Sequence, residues 1–208
     1  MNWIQFPLLN SPDLIHGFSQ RSSGNLESLN QEFEDSLSLL GIDYVQIAQA
    51  EQTHGNGVAV IDQPQIEKVL GVDALVTAVP GLALVVRVAD CGPLFFYDPV
   101  KQVIAVAHSG RKGTEQNITA ETLKVMRDQR GSRIEDIRVQ LGPCIRPPHY
   151  EVPFAEEIGR QAKLMGVIHF EDCGLCTGSD LQRFYSYRLE KGKTGRMWGV
   201  LMMRERNH

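Results

Sequence analysis

Two histidines and one cysteine, His54, Cys91 and His108, stand where apolar, β-branched runs meet small polar loops. Gln52-Thr53-His54-Gly55 precedes GVAVI (57–61), Asp90-Cys91 follows LALVVRVA (82–89), and His108-Ser109-Gly110 follows QVIAVA (102–107). Separations of 37 and 17 residues rule out a local zinc knuckle. The three meet only if three strand ends converge. Two imidazoles and a thiolate with an open fourth position would make a catalytic zinc site. Zinc lowers the pKa of bound water from about 15.7 towards about 7, which yields a hydroxide nucleophile at neutral pH. Copper accepts the same donors, and ligand type alone does not exclude it. Without a metal, Cys91 and His108 read as a nucleophile and its base. Beside a metal, Asp90 would orient a ligand histidine or act as general base. Each histidine also reads as an ordinary hydrogen-bonded residue at a strand end.

Neighbouring loops carry further polar groups. HSGRKGT (108–114) is a Gly-flanked basic loop leading into a helix, where backbone N–H groups with Arg111 or Lys112 could hold an anion. Its plainer reading is a solvated helix N-terminus. LGPCIRPPHYEV (141–152) brings Cys144, Arg146 and His149 into a proline-rich loop whose plainer reading is rigidity. Cys173 and Cys176 have CxxC spacing, but no second CxxC and no thioredoxin-like pattern accompany them. Cys173 therefore reads as structural. Four cysteines do not make a disulfide framework in a chain of this size.

The elements that must position these groups alternate between helix and strand. The first expected helix covers 28–40, with Leu29, Phe33, Leu37 and Leu40 on one face, a Ser28/Gln31 capping box and Gly41 as its stop. A second runs from about Gln116 to Arg130, with Ile118, Thr122, Leu123 and Met126 inward and Gly131 after it. A third starts at Pro153 and carries Phe154, Ile158, Ala162 and Met165 before Gly166. Strands are expected at 57–61, 73–77, 82–89, 102–107, 137–141 and 197–203; LFFYDP, after Cys91, ends in turn chemistry. The mixture predicts α+β, one domain over 1–208 with layered mixed β-sheets flanked by helices.

Bulk properties narrow the function. A chain of 208 residues can bury a full core, and a net charge of −4 leaves no electrostatic footprint for nucleic acid. No apolar run approaches the roughly 18 residues a membrane helix needs, and Arg87 interrupts the most apolar one. MNWIQFPLLNSPDLIHGF lacks a basic start followed by a long apolar stretch, so the cytoplasm is the expected address. Neither GxGxxG nor GxxxxGK[ST] occurs, which argues against dinucleotide and Walker-type chemistry.

The ordered set QTHGNGV, DALVT, ADCGPLFFYDP, AVAHSGRKGT, LGPCIRPPHYEV, CTGSDLQRFYSYR and KTGR resembles the YfiH/YlmD-type laccase-domain proteins. These are also called polyphenol oxidase-like proteins, peptidoglycan editing factors or laccase-domain purine nucleoside phosphorylases. The resemblance runs from HGFSQR (16–21) to TGR (194–196) and implies a YfiH-like α+β domain. It also implies a zinc site on His54, Cys91 and His108, with Asp90 beside the reacting groups. The implied activity is phosphorolysis of purine nucleosides to base and ribose 1-phosphate, with adenosine deamination and methylthioadenosine phosphorolysis alongside. Purine nucleoside and phosphate would be the partners, with Arg21, Arg111 and Lys112 as candidate substrate or phosphate contacts. Where the family reads HAGWRG, this chain has His108-Ser-Gly-Arg-Lys-Gly113, and Val88 replaces the usual Thr before ADC. A copper-dependent phenol oxidase and a Cys91–His108 amide hydrolase are the competing readings.

Overall fold

The computed structural model describes residues 2–22, 29–65 and 67–205. The chain runs through β1 (Trp3–Ile4), β2 (Leu14–Ser19), α1 (Leu29–Leu39), β3 (Ile47–Gln49), β4 (Val58–Val60) and β5 (Ala74–Thr77). It continues through β6 (Ala83–Val88), β7 (Gly92–Asp98), β8 (Val103–Ser109), α2 (Arg111–Glu115) and α3 (Ile118–Arg130). Then come β9 (Arg138–Leu141), α4 (Phe154–Leu164), β10 (His169–Asp172) and β11 (Met197–Met203). One sheet has the order β1-β2-β11-β6-β3, the other β10-β9-β7-β8-β5-β4. Both are mixed, with β3–β6, β4–β5 and β9–β10 parallel. The α+β class with layered mixed sheets is as expected.

Alternation along the strands explains the layering, because neighbouring residues face opposite sides of a sheet. Leu84, Val86, Leu201 and Met203 share one core with Phe95, Tyr97, Ile104 and Val106, so this core lies between the sheets. The opposite face of β6 and β11, with Val85, Trp198 and Val200, packs on Phe33 and Leu37 of α1. The opposite face of β7 and β8, with Leu94, Phe96 and Ala105, packs on Ile118, Leu123, Met126 and Ile158. The order is therefore helix, sheet, sheet, helices. Strands buried on both faces read as continuous apolar runs, which is why 82–89 shows no polar alternation. A Cβ on Gly199 would lie 2.6 Å from Phe95 Cζ, so glycine allows the sheets to approach there.

Helix boundaries differ from expectation by a residue or two. Gly41, Gly131 and Gly166 all take the left-handed conformation, with φ of 76°, 70° and 96°, as helix stops do. Ser28 of the expected capping box lies outside the described residues. Asn117 (φ 59°) separates α2 from α3 and caps the latter by accepting the Ala120 N–H. Pro153 caps α4 rather than opening it. Beyond Gly110 the HSGRKGT segment is itself helical, not a loop. The strands β1, β2, β3, β7 and β10 were not expected from pattern; LFFYDP, noted only for its turn chemistry, lies mostly within β7. Among the described residues, no helix is long and apolar enough to cross a membrane.

Candidate metal centre and substrate cavity

His54, Cys91 and His108 converge. Their ligand atoms lie within 4.8 Å of one another, and the two imidazole rings sit 4.7 Å apart at 83°. The adjacency of β5, β8 and β7 brings this about: Asp73 immediately precedes β5, His108 is near the end of β8, and Cys91 immediately precedes β7. Gly110 lets the thiol in, since a Cβ there would lie 2.5 Å from Cys91 Sγ. A nitrogen–nitrogen–sulfur donor set of this kind could hold a metal ion and suits zinc or copper.

Asp73 organises both histidines. Its carboxylate is buried and accepts His108 Nδ1 at 2.8 Å on Oδ1, which leaves Nε2 for the metal side. The same oxygen accepts the His54 N–H at 2.9 Å. Oδ2 accepts the Thr53 N–H, the Thr53 hydroxyl and the Gly55 N–H at 3.0, 2.9 and 2.8 Å. The 52–55 loop, with Gln52 and His54 at φ 66° and 63°, is thus wrapped round one carboxylate. Left-handed non-glycine residues persist only where their surroundings over-determine them.

The electrostatics favour a charged cluster. Burial pushes the Asp73 carboxyl up, but hydrogen bonds from His108, Gly55 and Thr53 outweigh it and hold the group below its ordinary value. Burial opposes ionisation of Cys91 as well, yet His108 and His54 bring its thiol down to about 6. Against its own burial, His108 is raised by Asp73 and Cys91. A thiol so lowered is ready to bind a cation.

Asp90 has a different place from the one its sequence position suggests. Its carboxylate accepts the Thr177 hydroxyl at 2.7 Å, the Ser186 hydroxyl at 3.0 Å and the Arg188 N–H at 2.8 Å. His108 is oriented by Asp73 instead. Asp90, at φ 85°, pins the turn that presents Cys91 and ties it to 177–188. Its carbonyl also accepts the Ile145 N–H at 2.8 Å, so the 141–152 loop buttresses the same turn. Cys144 is buried, with its thiol pushed up by burial, and pairs with Cys176 in an isolated β-bridge. Burial likewise raises Cys173 to about 11. None of these three cysteines lines the cavity beside the triad.

That cavity has a volume of about 900 Å³. The triad forms part of its wall, and Tyr150, Phe154 and Tyr187 supply aromatic surface. Four guanidinium groups line it: Arg87, Arg111, Arg188 and Arg196. Of the sequence candidates for anion contact, only Arg111 does so. Lys112 is exposed on α2 and off the cavity wall. Arg21 is occupied elsewhere: it pairs with Glu190 at 2.8 Å, donates to the Leu181 and Phe184 carbonyls, and lies 4.5 Å over the Tyr185 ring.

The profile of a family described as multi-copper polyphenol oxidoreductase laccase matches residues 18–163 and 154–204. The chain belongs to this laccase-domain family. It is 29% identical to the purine nucleoside phosphorylase YlmD of Bacillus subtilis (strain 168), over 94% of this chain and 91% of that one. It is 32% identical to a purine nucleoside phosphorylase of Deinococcus radiodurans, over 94% and 92%. The crystal structure of YlmD from Geobacillus stearothermophilus superposes with a TM-score of 0.90 at 22% identity, over 99% of this chain and 97% of that one. YfiH of Bacillus licheniformis superposes with a TM-score of 0.85. Both show the fold.

For this laccase-domain chain, sequence reasoning missed Asp73 and Arg196 and noted Arg87 only as a break in an apolar run. A signal existed for two of them. Asp73 precedes and Arg87 interrupts strands that are otherwise buried, where a charge needs a reason.

Proposed function

We propose that the cavity binds a purine nucleoside and phosphate and carries out phosphorolysis, with zinc held by His54, Cys91 and His108. The observation that carries this reading is the convergence of three metal-ligating atoms in a cavity that also offers aromatic and guanidinium groups. Relatives covering nearly the whole chain are named purine nucleoside phosphorylases, which supports it. A zinc ion there would supply Lewis acidity and make water nucleophilic near neutral pH. Asp73 fixes the histidines, so little rearrangement is needed when a ligand binds. The rings of Tyr150, Phe154 and Tyr187 suit the flat purine and exclude water from it. In the reaction a phosphate oxygen bonds to C1′ while the C1′–N9 bond breaks. The electron pair leaves with the purine, and the proton of hydrogen phosphate balances the purine N–H. Adenosine deamination and methylthioadenosine phosphorolysis belong to the same site.

A metal-free hydrolase is the second reading, favoured by the line from Cys91 through His108 to Asp73, which is a nucleophile–base–orienter order. Copper oxidase chemistry is less well matched. Among the described residues there is one group able to hold a metal, whereas four-electron oxygen reduction draws on several histidine-rich sites.

The test is metal analysis of protein purified without chelator, for the parent and Cys91→Ala, followed by assay of inosine and adenosine with phosphate. About one zinc per chain, absent from the variant, with phosphate-dependent base release is the expected result. A zinc-loaded protein that releases no base would overturn the phosphorylase reading. Amide hydrolysis that survives chelation would favour the second.

A further inference from the structure

The four cavity arginines are not equivalent. Arg111 pairs with Glu115 at 2.8 Å and Arg188 with Glu151 at 2.7 Å. Among the described residues, neither Arg87 nor Arg196 has a carboxylate within ion-pair distance. Arg87 Nε is buried without a hydrogen-bond partner. Its guanidinium lies 5.5 Å over the Trp198 ring, and that of Arg196 lies 5.6 Å over the Tyr187 ring. Arg196 donates from one nitrogen to the Thr194 and Gly195 carbonyls, and among the described residues its guanidinium has no further hydrogen-bond partner.

Sheet register explains why the two are neighbours. Trp198 on β11 stands opposite Arg87 on β6, and Arg196 is the residue immediately before β11. The positive charge of Arg196 works against that of Arg87, in addition to burial. Lys68 also lies within electrostatic reach of Arg87. Two carboxylates line the cavity: Glu51 accepts the Gly71 N–H at 2.8 Å, and Asp90 is held by Thr177, Ser186 and the Arg188 N–H. Half-buried cations held together without an anion cost stability, and an anionic ligand removes that cost.

We propose that Arg87 and Arg196 form the oxyanion subsite of the cavity, where the inorganic phosphate of the reaction is held. This rests on the phosphorylase reading. Two guanidinium forks, each backed by an aromatic face, suit the oxygens of a phosphate dianion and orient it bidentately. The role expected of Arg21 and Lys112 thus passes to a pair contributed by β6 and the residue leading into β11.

Inorganic phosphate binding, measured by calorimetry on the zinc-loaded chain, tests this alongside the KM for phosphate with inosine. Arg87→Met and Arg196→Met should each weaken phosphate binding and raise its KM about tenfold or more, as loss of a charged hydrogen bond does. Inosine binding without phosphate should stay within about twofold, and Lys112→Ala should change neither. If a Met variant does not fold, the Lys variant at that position keeps the charge but not the fork and should still raise the KM for phosphate.

Folded variants that keep parental phosphate affinity would overturn the subsite. So would a parent that binds a purine nucleoside 5′-monophosphate through these arginines but not free phosphate, because the subsite would then serve a nucleotide. The two readings fail separately. Phosphate binding lost in the variants without any nucleoside cleavage in the parent keeps the subsite and removes the phosphorylase. Phosphorolysis with an unchanged phosphate KM in both variants does the reverse.

Discussion

Asp73 makes five hydrogen bonds, from the His108 ring and from Thr53, His54 and Gly55, and so fixes the His108 imidazole and the backbone of the loop that carries His54. Asp73→Asn preserves the shape but replaces an acceptor oxygen with a donor, which must face an N–H. We expect zinc affinity to fall about 10- to 100-fold, as measured by competition with a chelating dye, with secondary structure unchanged by circular dichroism. Unchanged affinity would mean that the loop holds its shape without the carboxylate. The three candidate ligand residues were legible because each stands where an apolar run meets a polar loop. Asp73 was harder to see, because an Asp before a strand reads as turn chemistry until the fold brings 53–55 round it. Arg196 closes the KTGR motif, but its place beside the cavity depends on β11 lying beside β6.

At the scale of elements, the site depends on how closely β7 and the start of α2 approach. Gly110, the N-cap of α2, leaves no room for a methyl group beside Cys91 Sγ. Gly110→Ala should push the thiol aside and lose most of the zinc expected in the parent, and with it the rise in Tm that bound zinc would give. The Tm of the metal-free protein should drop by only a few degrees. Full zinc content in the variant would show that Cys91 is not a ligand. Helices α1, α3 and α4 were legible to within a turn because their apolar faces and glycine stops are local, whereas the short α2 read as a loop. The unseen strands lack that signal. LIHGFS mixes a histidine and a glycine into a wholly buried strand, and HFED is a polar edge strand that pairs only with β9. What makes such segments strands is their partners, distant in sequence.

The whole molecule carries a built-in sensitivity to acid. His16 on β2 is buried, accepts the Phe6 N–H on Nε2 at 2.9 Å, and is held by burial down to about 4 from an ordinary 6.5. The unfolded chain therefore takes up this proton first. The stabilisation is fully present above about 6.5, declines as pH falls below it, and is exhausted near 4, amounting to about 3 kcal/mol at most. Denaturant titrations between pH 7 and pH 4 should show this slope, and His16→Gln should be less stable at neutral pH but flatter across the window. An equal slope in the variant would place the acid sensitivity elsewhere.

β11, the last strand among the described residues, lies between β2 and β6. Until residues 197–203 have been synthesised, residues 14–18 and 83–88 lack the neighbour that joins them. Arg188 and Arg196 close the cavity from the same late stretch. The sheet and the cavity are therefore completed by the same stretch of chain. A chain stopped before Met197 would be left with two open apolar edges, to be taken up by chaperones or by other nascent chains.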